Sequence, residues 1–135
     1  MSITLIWERL FVGSIGDAEA LAESNPFGIT TVLILCGETV RQPAPGVNFL
    51  HFPVPEARPI PVGDFDEIID NLWENIRWGK VLLVSQSGTT RAPMIAASWM
   101  HCCGYKNIDA ALVDIGTLRP VGPNPILLIS VKELL

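Results

Sequence analysis

Cysteine is scarce in this 135-residue chain, with only three, at positions 36, 102 and 103. The number is odd and two are neighbours, so no disulfide framework can be drawn, and a reducing cytoplasm is the expected environment. Lysine is as rare, at 80, 106 and 132, and no basic run occurs. With a formal net charge of −5, the chain has no general attraction for a nucleic-acid backbone or an anionic membrane, and neither is expected as a partner. Long apolar runs are also missing. The longest, Val32-Leu-Ile-Leu-Cys36 and Val81-Leu-Leu-Val84, fall far short of the roughly 18 residues a spanning helix needs. The first residues lack the basic stretch and apolar run of a signal peptide. Glycine and proline, 11 each, stay well below the roughly 25–30% that marks a disordered chain.

What is present is apolar. Hydrophobic residues make up 49% of the chain and the mean hydropathy is +0.38. Without a membrane span, that excess is assigned to a core covered on both faces. The length fits one domain over residues 1–135.

Residues 4–7 and 10–12 read as two short strands, and 17–23 as a short helix with Ala18, Leu21 and Ala22 turned inward. Residues 29–36 read as a buried strand, and 47–52 alternate as another. A loop follows that is stiffened by Pro53, Pro55, Pro59 and Pro61, which hold a side chain at low entropic cost. Phe65, Ile68, Ile69, Leu72 and Ile76 then recur at helical spacing. Asp64 with Glu67 is expected as a capping box at the start of that helix, and Gly79 as its end. Residues 81–84 form the most apolar strand. Pro93 suits the first turn of the next helix and Gly104 its end. Two further helices are expected from about Ile108 and Pro125. Alternation throughout predicts an α/β class: one domain, a central twisted sheet of four to five mostly parallel strands, and helices on both faces.

The chemistry concentrates in Lys80-Val-Leu-Leu-Val-Ser85-Gln-Ser-Gly88-Thr-Thr-Arg91-Ala-Pro93. A buried strand leads through small polar residues to a helix start. Backbone N–H groups of Gln86, Ser87, Gly88, Thr89 and Thr90, together with the positive helix end, can form a nest for an anion. Gly88 permits a bend that a Cβ would obstruct. Arg91 supplies a planar fork for two phosphate oxygens. The fragment reads as an oxyanion cradle that takes phosphate or sulfate. No Gly-x-Ser-x-Gly elbow surrounds Ser85 or Ser87, which argues against a serine hydrolase. No Gly-Lys-Ser/Thr follows the loop, which argues against a nucleotide P-loop.

This segment resembles the signature loop of the cysteine-dependent protein phosphatases, His-Cys, five residues, Arg. The whole chain resembles a small dual-specificity phosphatase. Arg9-Leu-Phe-Val-Gly-Ser14 is similar to the family's opening pattern, and Gly28-Ile-Thr-Thr-Val-Leu-Ile34 to its first strand and approach. Val47-Asn-Phe-Leu-His-Phe-Pro53 is similar to the strand before the acid loop, and Leu118-Arg-Pro-Val-Gly-Pro-Asn124 to the tail motif. The resemblance implies a Cys thiolate that attacks phosphorus, a loop and Arg that stabilise the transferring group, and an acid that protonates the leaving oxygen and then activates water. It implies no metal or other cofactor. It implies a phosphorylated protein or peptide as partner, and a monomer is expected. By the same resemblance Asn124 helps hold the loop by hydrogen bonds, with a plain turn residue as the alternative; Arg119 is a weaker candidate for that support, or pairs with an acid on the surface.

Four positions depart from the family pattern. Ser85 stands at the nucleophile, Val84 at the preceding His, Ala92 at the hydroxyl residue after the Arg, and Glu56 at the acid. A serine hydroxyl is protonated at neutral pH and no base adjoins it in sequence, so catalysis is expected to be slow or silent. Two origins compete: an engineered Cys-to-Ser substrate trap, placed slightly ahead, and a natural pseudophosphatase that reads phosphorylation without removing it. Glu56 is a usable acid, since Glu and Asp carboxyls titrate in nearly the same range and Glu reaches one methylene further; a solvated loop glutamate is the even alternative, and Asp64 and Asp66 compete for the role. The neutral Gln86, Ser87, Thr89 and Thr90 disfavour highly anionic inositol phosphates. Successive residues of His101-Cys102-Cys103 point about 100° apart on a helix and cannot converge on one ion. All three cysteines, and the tryptophans at 7, 73, 78 and 99, are expected as packing residues.

Overall fold

The apolar strand of residues 81–84 lies at the centre of the sheet in the computed structural model, which describes residues 3–135. In chain order the elements are β1 (Thr4–Trp7), β2 (Leu10–Ser14), α1 (Ile15–Ala20), β3 (Ile29–Ile34), β4 (Asn48–His51), α2 (Val62–Ile76), β5 (Lys80–Ser85), α3 (Arg91–Cys102), α4 (Ile108–Gly116) and α5 (Pro125–Leu134). The strand order is β1-β2-β5-β3-β4. β5 runs parallel to both β2 and β3, β3 runs parallel to β4, and only β1 is antiparallel to its neighbour. The last strand in sequence is therefore inserted between two earlier ones. The carboxyl end of such a strand opens into the crevice where open α/β sheets place ligands.

Alternation along β5 divides the core. Val81 and Leu83 face a large cluster built with α2, α3, α4 and α5, whereas Leu82 and Val84 face a smaller one with Phe11, Ala18 and Leu21. This is the period-2 geometry of a strand with both faces covered. Helices flank both faces, as the pattern predicts, but unequally: four pack on one side and the six-residue α1 on the other. No helix among the described residues is long and apolar enough to cross a membrane.

Several local expectations are corrected. α1 begins at Ile15, because Ser14 and Asp17 form a reciprocal capping box there. It ends before residue 22, so Ala22 turns outward and is exposed. The expected Asp64–Glu67 capping box is not made. α2 begins at Val62 with Pro61 as its N-cap and no side-chain cap, since the chain becomes helical as soon as the prolines end. Asp64 sits inside the first turn, where its charge favours the helix dipole. α2 ends at Ile76, with Arg77 rather than Gly79 as its C-cap. Gly104 does follow α3, in left-handed backbone (φ +80°) with its N–H donating to His101 O. The buried run of α3 stops at Met100, leaving Cys102 and Cys103 exposed rather than in the core. Cys36 is fully buried, just past the end of β3. Trp99 packs in the core, but Trp73 is 51% and Trp78 80% exposed, so packing does not account for all four indoles.

Leu83 is fully buried on the larger face. Leu83→Ala is expected to lower unfolding stability by about 2–5 kcal/mol. Val113→Ala, at a 68% exposed position, is expected to stay within about 0.5 kcal/mol. Denaturant unfolding of the two variants side by side checks both values.

Candidate functional site

β5 ends at Ser85, residues 86–90 turn, and α3 begins at Arg91 with Pro93 in its first turn. Among the described residues, the N–H groups of residues 86–91 make no hydrogen bond to a protein acceptor. Six consecutive donors at the positive end of a twelve-residue helix are the elements of an anion nest. Proline at 93 removes a donor that a first turn could not have satisfied within the helix.

The turn is held from below. Gly88 adopts left-handed backbone (φ +73°), and a Cβ there would sit 2.5 Å from Arg119 Nη2 and 2.7 Å from the Gly13 carbonyl oxygen. Arg119 is 7% exposed. Its Nη1 donates to Val12 O at 2.7 Å and to Thr4 Oγ1 at 3.2 Å. Burial lowers its pKa from the ordinary arginine value, and the charge of Asp17 opposes that shift. Asp17, itself buried, bonds the Ser14 N–H through its carboxylate. The floor of the loop is therefore the start of the fold, β2 and the cap of α1, tied together by an arginine from near the end.

The loop is also held from the side. Gly122 N–H donates to Thr89 O at 2.8 Å, and Thr90 Oγ1 donates to Gly122 O at 2.9 Å. Ser87 and Thr89 hydroxyls share a 2.8 Å hydrogen bond. Asn124, expected in this supporting role, instead accepts from Ile126 N and Leu127 N and caps α5. The tail segment does brace the loop, but the bracing is made by Gly122 and Arg119.

Ser85 is 2% exposed and its Oγ accepts the Ala92 N–H at 3.2 Å. Ala92 contributes only backbone here, because its methyl lies in the larger core. Arg91 Nη1 donates to Val54 O at 3.5 Å, and Val54 N–H donates to Leu35 O. Two residues on is Glu56, exposed on the proline-rich segment. That segment is pinned again at its far end, where Ile60 N–H donates to the buried Ser130 Oγ at 2.9 Å. Ser85 to Arg91 thus converge on one turn, and the segment carrying Glu56 is tied to Arg91 through Val54.

None of the three cysteines lies in the loop of residues 85–91. Burial raises the thiol pKa of Cys36, and partial desolvation raises those of the exposed Cys102 and Cys103. Among the described residues no group of three or more His, Cys, Asp or Glu side chains is arranged to hold a metal ion.

No protein-family model matches the sequence, and comparison with curated proteins finds no match. Comparison of structures does. A mouse putative dual-specificity phosphatase, crystallised with zinc tungstate, superimposes with a TM-score of 0.87 at 19% identity, covering 98% of this chain and 85% of that one. Human DUSP28 gives 0.85 at 20% identity, covering 98% and 94%. DUSP15 gives 0.85 at 22% identity, covering 97% and 85%. The fold is that of the dual-specificity phosphatases. The phosphatase fold accounts for the order in which β5, the loop and α3 follow one another. Arg119, Gly122, Gly13 and Asp17 are the supporting residues that sequence reading undervalued or missed. The signal for Gly13, Arg119 and Gly122 is that they fall within the two end motifs, and for Asp17 it is the capping-box spacing to Ser14.

Gly88→Ala is expected to destabilise the protein by at least about 1–3 kcal/mol, through the disfavoured φ and the contacts with Gly13 and Arg119. It is also expected to abolish anion binding at the loop. Gly63→Ala, in α2 with nothing near the added methyl, is expected to be neutral or to stabilise by up to about 1 kcal/mol. Thermal unfolding and tungstate titration calorimetry on both variants provide the measurement.

Proposed function

We propose that this chain binds phosphate monoesters of a phosphorylated protein or peptide in the loop of residues 85–91, as a domain of the dual-specificity phosphatase type that Ser85 keeps catalytically silent. The observation that carries this reading is the row of six N–H donors leading into α3 that have no protein acceptor among the described residues, with Arg91 as the first residue of that helix. A phosphate dianion meets donors already oriented and loses little to reorganisation on binding. Arg91 adds charge-assisted bonds in a fixed plane. The loop side chains Gln86, Ser87, Thr89 and Thr90 are neutral, which suits one phosphate on a peptide better than a polyanion.

The chemistry of the active counterpart follows from the same geometry. A thiolate at position 85 would attack phosphorus, forming a sulfur–phosphorus bond as the ester oxygen–phosphorus bond breaks. Glu56 would give its proton to the departing oxygen, then take one from the water that hydrolyses the phospho-cysteine. The reading needs no metal or cofactor. A serine hydroxyl stops it at the first step. Among the described residues Ser85 Oγ meets only the Ala92 N–H, a donor, so nothing accepts the hydroxyl proton.

A second reading, a pseudophosphatase that binds phosphoproteins without catalysis, is favoured by a specific observation. Val84 is fully buried among Val32, Ile34 and Leu82, and Ala92 is fully buried in the opposite cluster. Both flanking departures from the family pattern are built into the core, which a single exchange at position 85 would not produce.

The test compares Ser85 and Ser85→Cys proteins on p-nitrophenyl phosphate without metal, with tungstate binding measured in parallel. The Ser85 form is expected to be silent and to bind tungstate, with Arg91→Ala weakening binding about 10–100-fold. Activity that appears with Ser85→Cys supports the enzyme framework. A folded, tungstate-binding but inactive Ser85→Cys protein supports the pseudophosphatase. Absence of tungstate binding in both forms overturns the proposal.

A further inference from the structure

The exposed tryptophans are not absorbed by this function. A cleft of about 280 Å³, lined by Trp7, Trp73, Trp99, Glu8, Arg9 and Arg77 among others, opens where the β1–β2 turn meets α2 and α3. Val81 N–H donates to Arg9 O, which places the turn at the start of β5, while the phosphate loop lies at its end. At about 3.3 Å per residue the six residues of β5 separate the two by roughly 17 Å. The cleft is a distinct site.

Its chemistry is that of an interface centre. Tryptophan and arginine are the residues most enriched at binding hot spots. Trp73 meets Trp99 edge-on at 4.9 Å between centroids, yet remains 51% exposed. Trp78, just past the end of α2 and outside the cleft lining, is 80% exposed, with the Arg77 guanidinium 5.8 Å from its ring centroid. Glu8 is the one non-glycine residue with positive φ among the described residues (51°), a backbone state that persists only where the surroundings hold it.

Charge indicates the partner. Among the described residues neither Arg9 nor Arg77 forms an ion pair. Two arginines and one glutamate give the cleft a local positive balance in a chain whose total is −5. The volume lies just under the roughly 300–1,000 Å³ of small-molecule sites, and it suits one bulky side chain.

We propose that this cleft docks an acidic segment of a partner protein, with one aromatic or proline residue seated between the tryptophans and flanking carboxylates on Arg9 and Arg77. The domain would then hold a partner at one pole and a phosphate at the other.

The experiment uses twelve-residue peptides with a central Trp, Tyr or Pro and flanks that are all acidic, all neutral or all basic, titrated against the full chain by tryptophan fluorescence. The acidic set is expected to bind at least ten-fold tighter than the basic set. Arg77→Glu and Trp73→Ala are each expected to weaken that binding at least ten-fold, and Arg91→Ala to leave it unchanged. Arg77→Glu alters an exposed C-cap side chain, so the test stands even if Trp73→Ala unfolds the protein. Equal binding of acidic and basic peptides, no saturable binding, or indifference to Arg77→Glu would overturn the proposal. So would a dimer in analytical ultracentrifugation that Arg77→Glu dissolves, which would assign the cleft to a second copy.

Discussion

The close approach at Gly88 is the constraint on which the site depends. There the turn after β5 lies against the Gly13 carbonyl and the Arg119 guanidinium, nearer than any side chain would allow. Because Arg119 also bonds Val12 O, and Asp17 bonds the Ser14 backbone, that one contact joins β2, α1, β5 and the segment before α5. The backbone of residues 86–91 is held by these packing contacts. For the anion site proposed above, that is preorganisation: the work of aligning the dipoles is done when the protein folds.

On the proposed function, the same arrangement separates binding from catalysis. Stabilising a transferring phosphoryl group requires the loop, the helix start and Arg91. Starting the transfer requires an ionised nucleophile. A helix N-terminus and an adjacent guanidinium can lower a thiol pKa into the neutral range, but the same field is far too weak for a serine hydroxyl. Desolvation raises the pKa of each of the three thiols, most plainly the buried Cys36. On the function proposed above, the domain keeps the electrostatic part of a phosphatase site without its nucleophile. The proline-rich segment that carries Glu56 is tied to Arg91 at Val54 and to Ser130 at Ile60.

Much of this was legible in the sequence, for identifiable reasons. Strands such as residues 81–84 are apolar on both faces and bounded by turns, so existence and class were clear. The loop was clear because its residues are consecutive and their chemistry is local. What escaped was non-local or lay at element ends. Arg119 bonds Val12, 107 residues away, and no local pattern reveals such a pairing. Asn124 was expected to brace the loop, but an Asn just before a proline-led helix is more simply its cap. The Asp64–Glu67 spacing fits a capping box, yet Pro61 had already set the helix start. Cys102, Cys103, Trp73 and Trp78 looked like core by residue type, and type does not report which face of a helix is covered.

The most direct test of the central claim is amide NMR of the Ser85 chain titrated with phosphotyrosine. Anion binding by the loop predicts saturable shifts concentrated in the N–H groups of residues 86–91, with shifts elsewhere small and the effect lost in Arg91→Ala. Shifts that spare those amides, or that persist unchanged in Arg91→Ala, would contradict it.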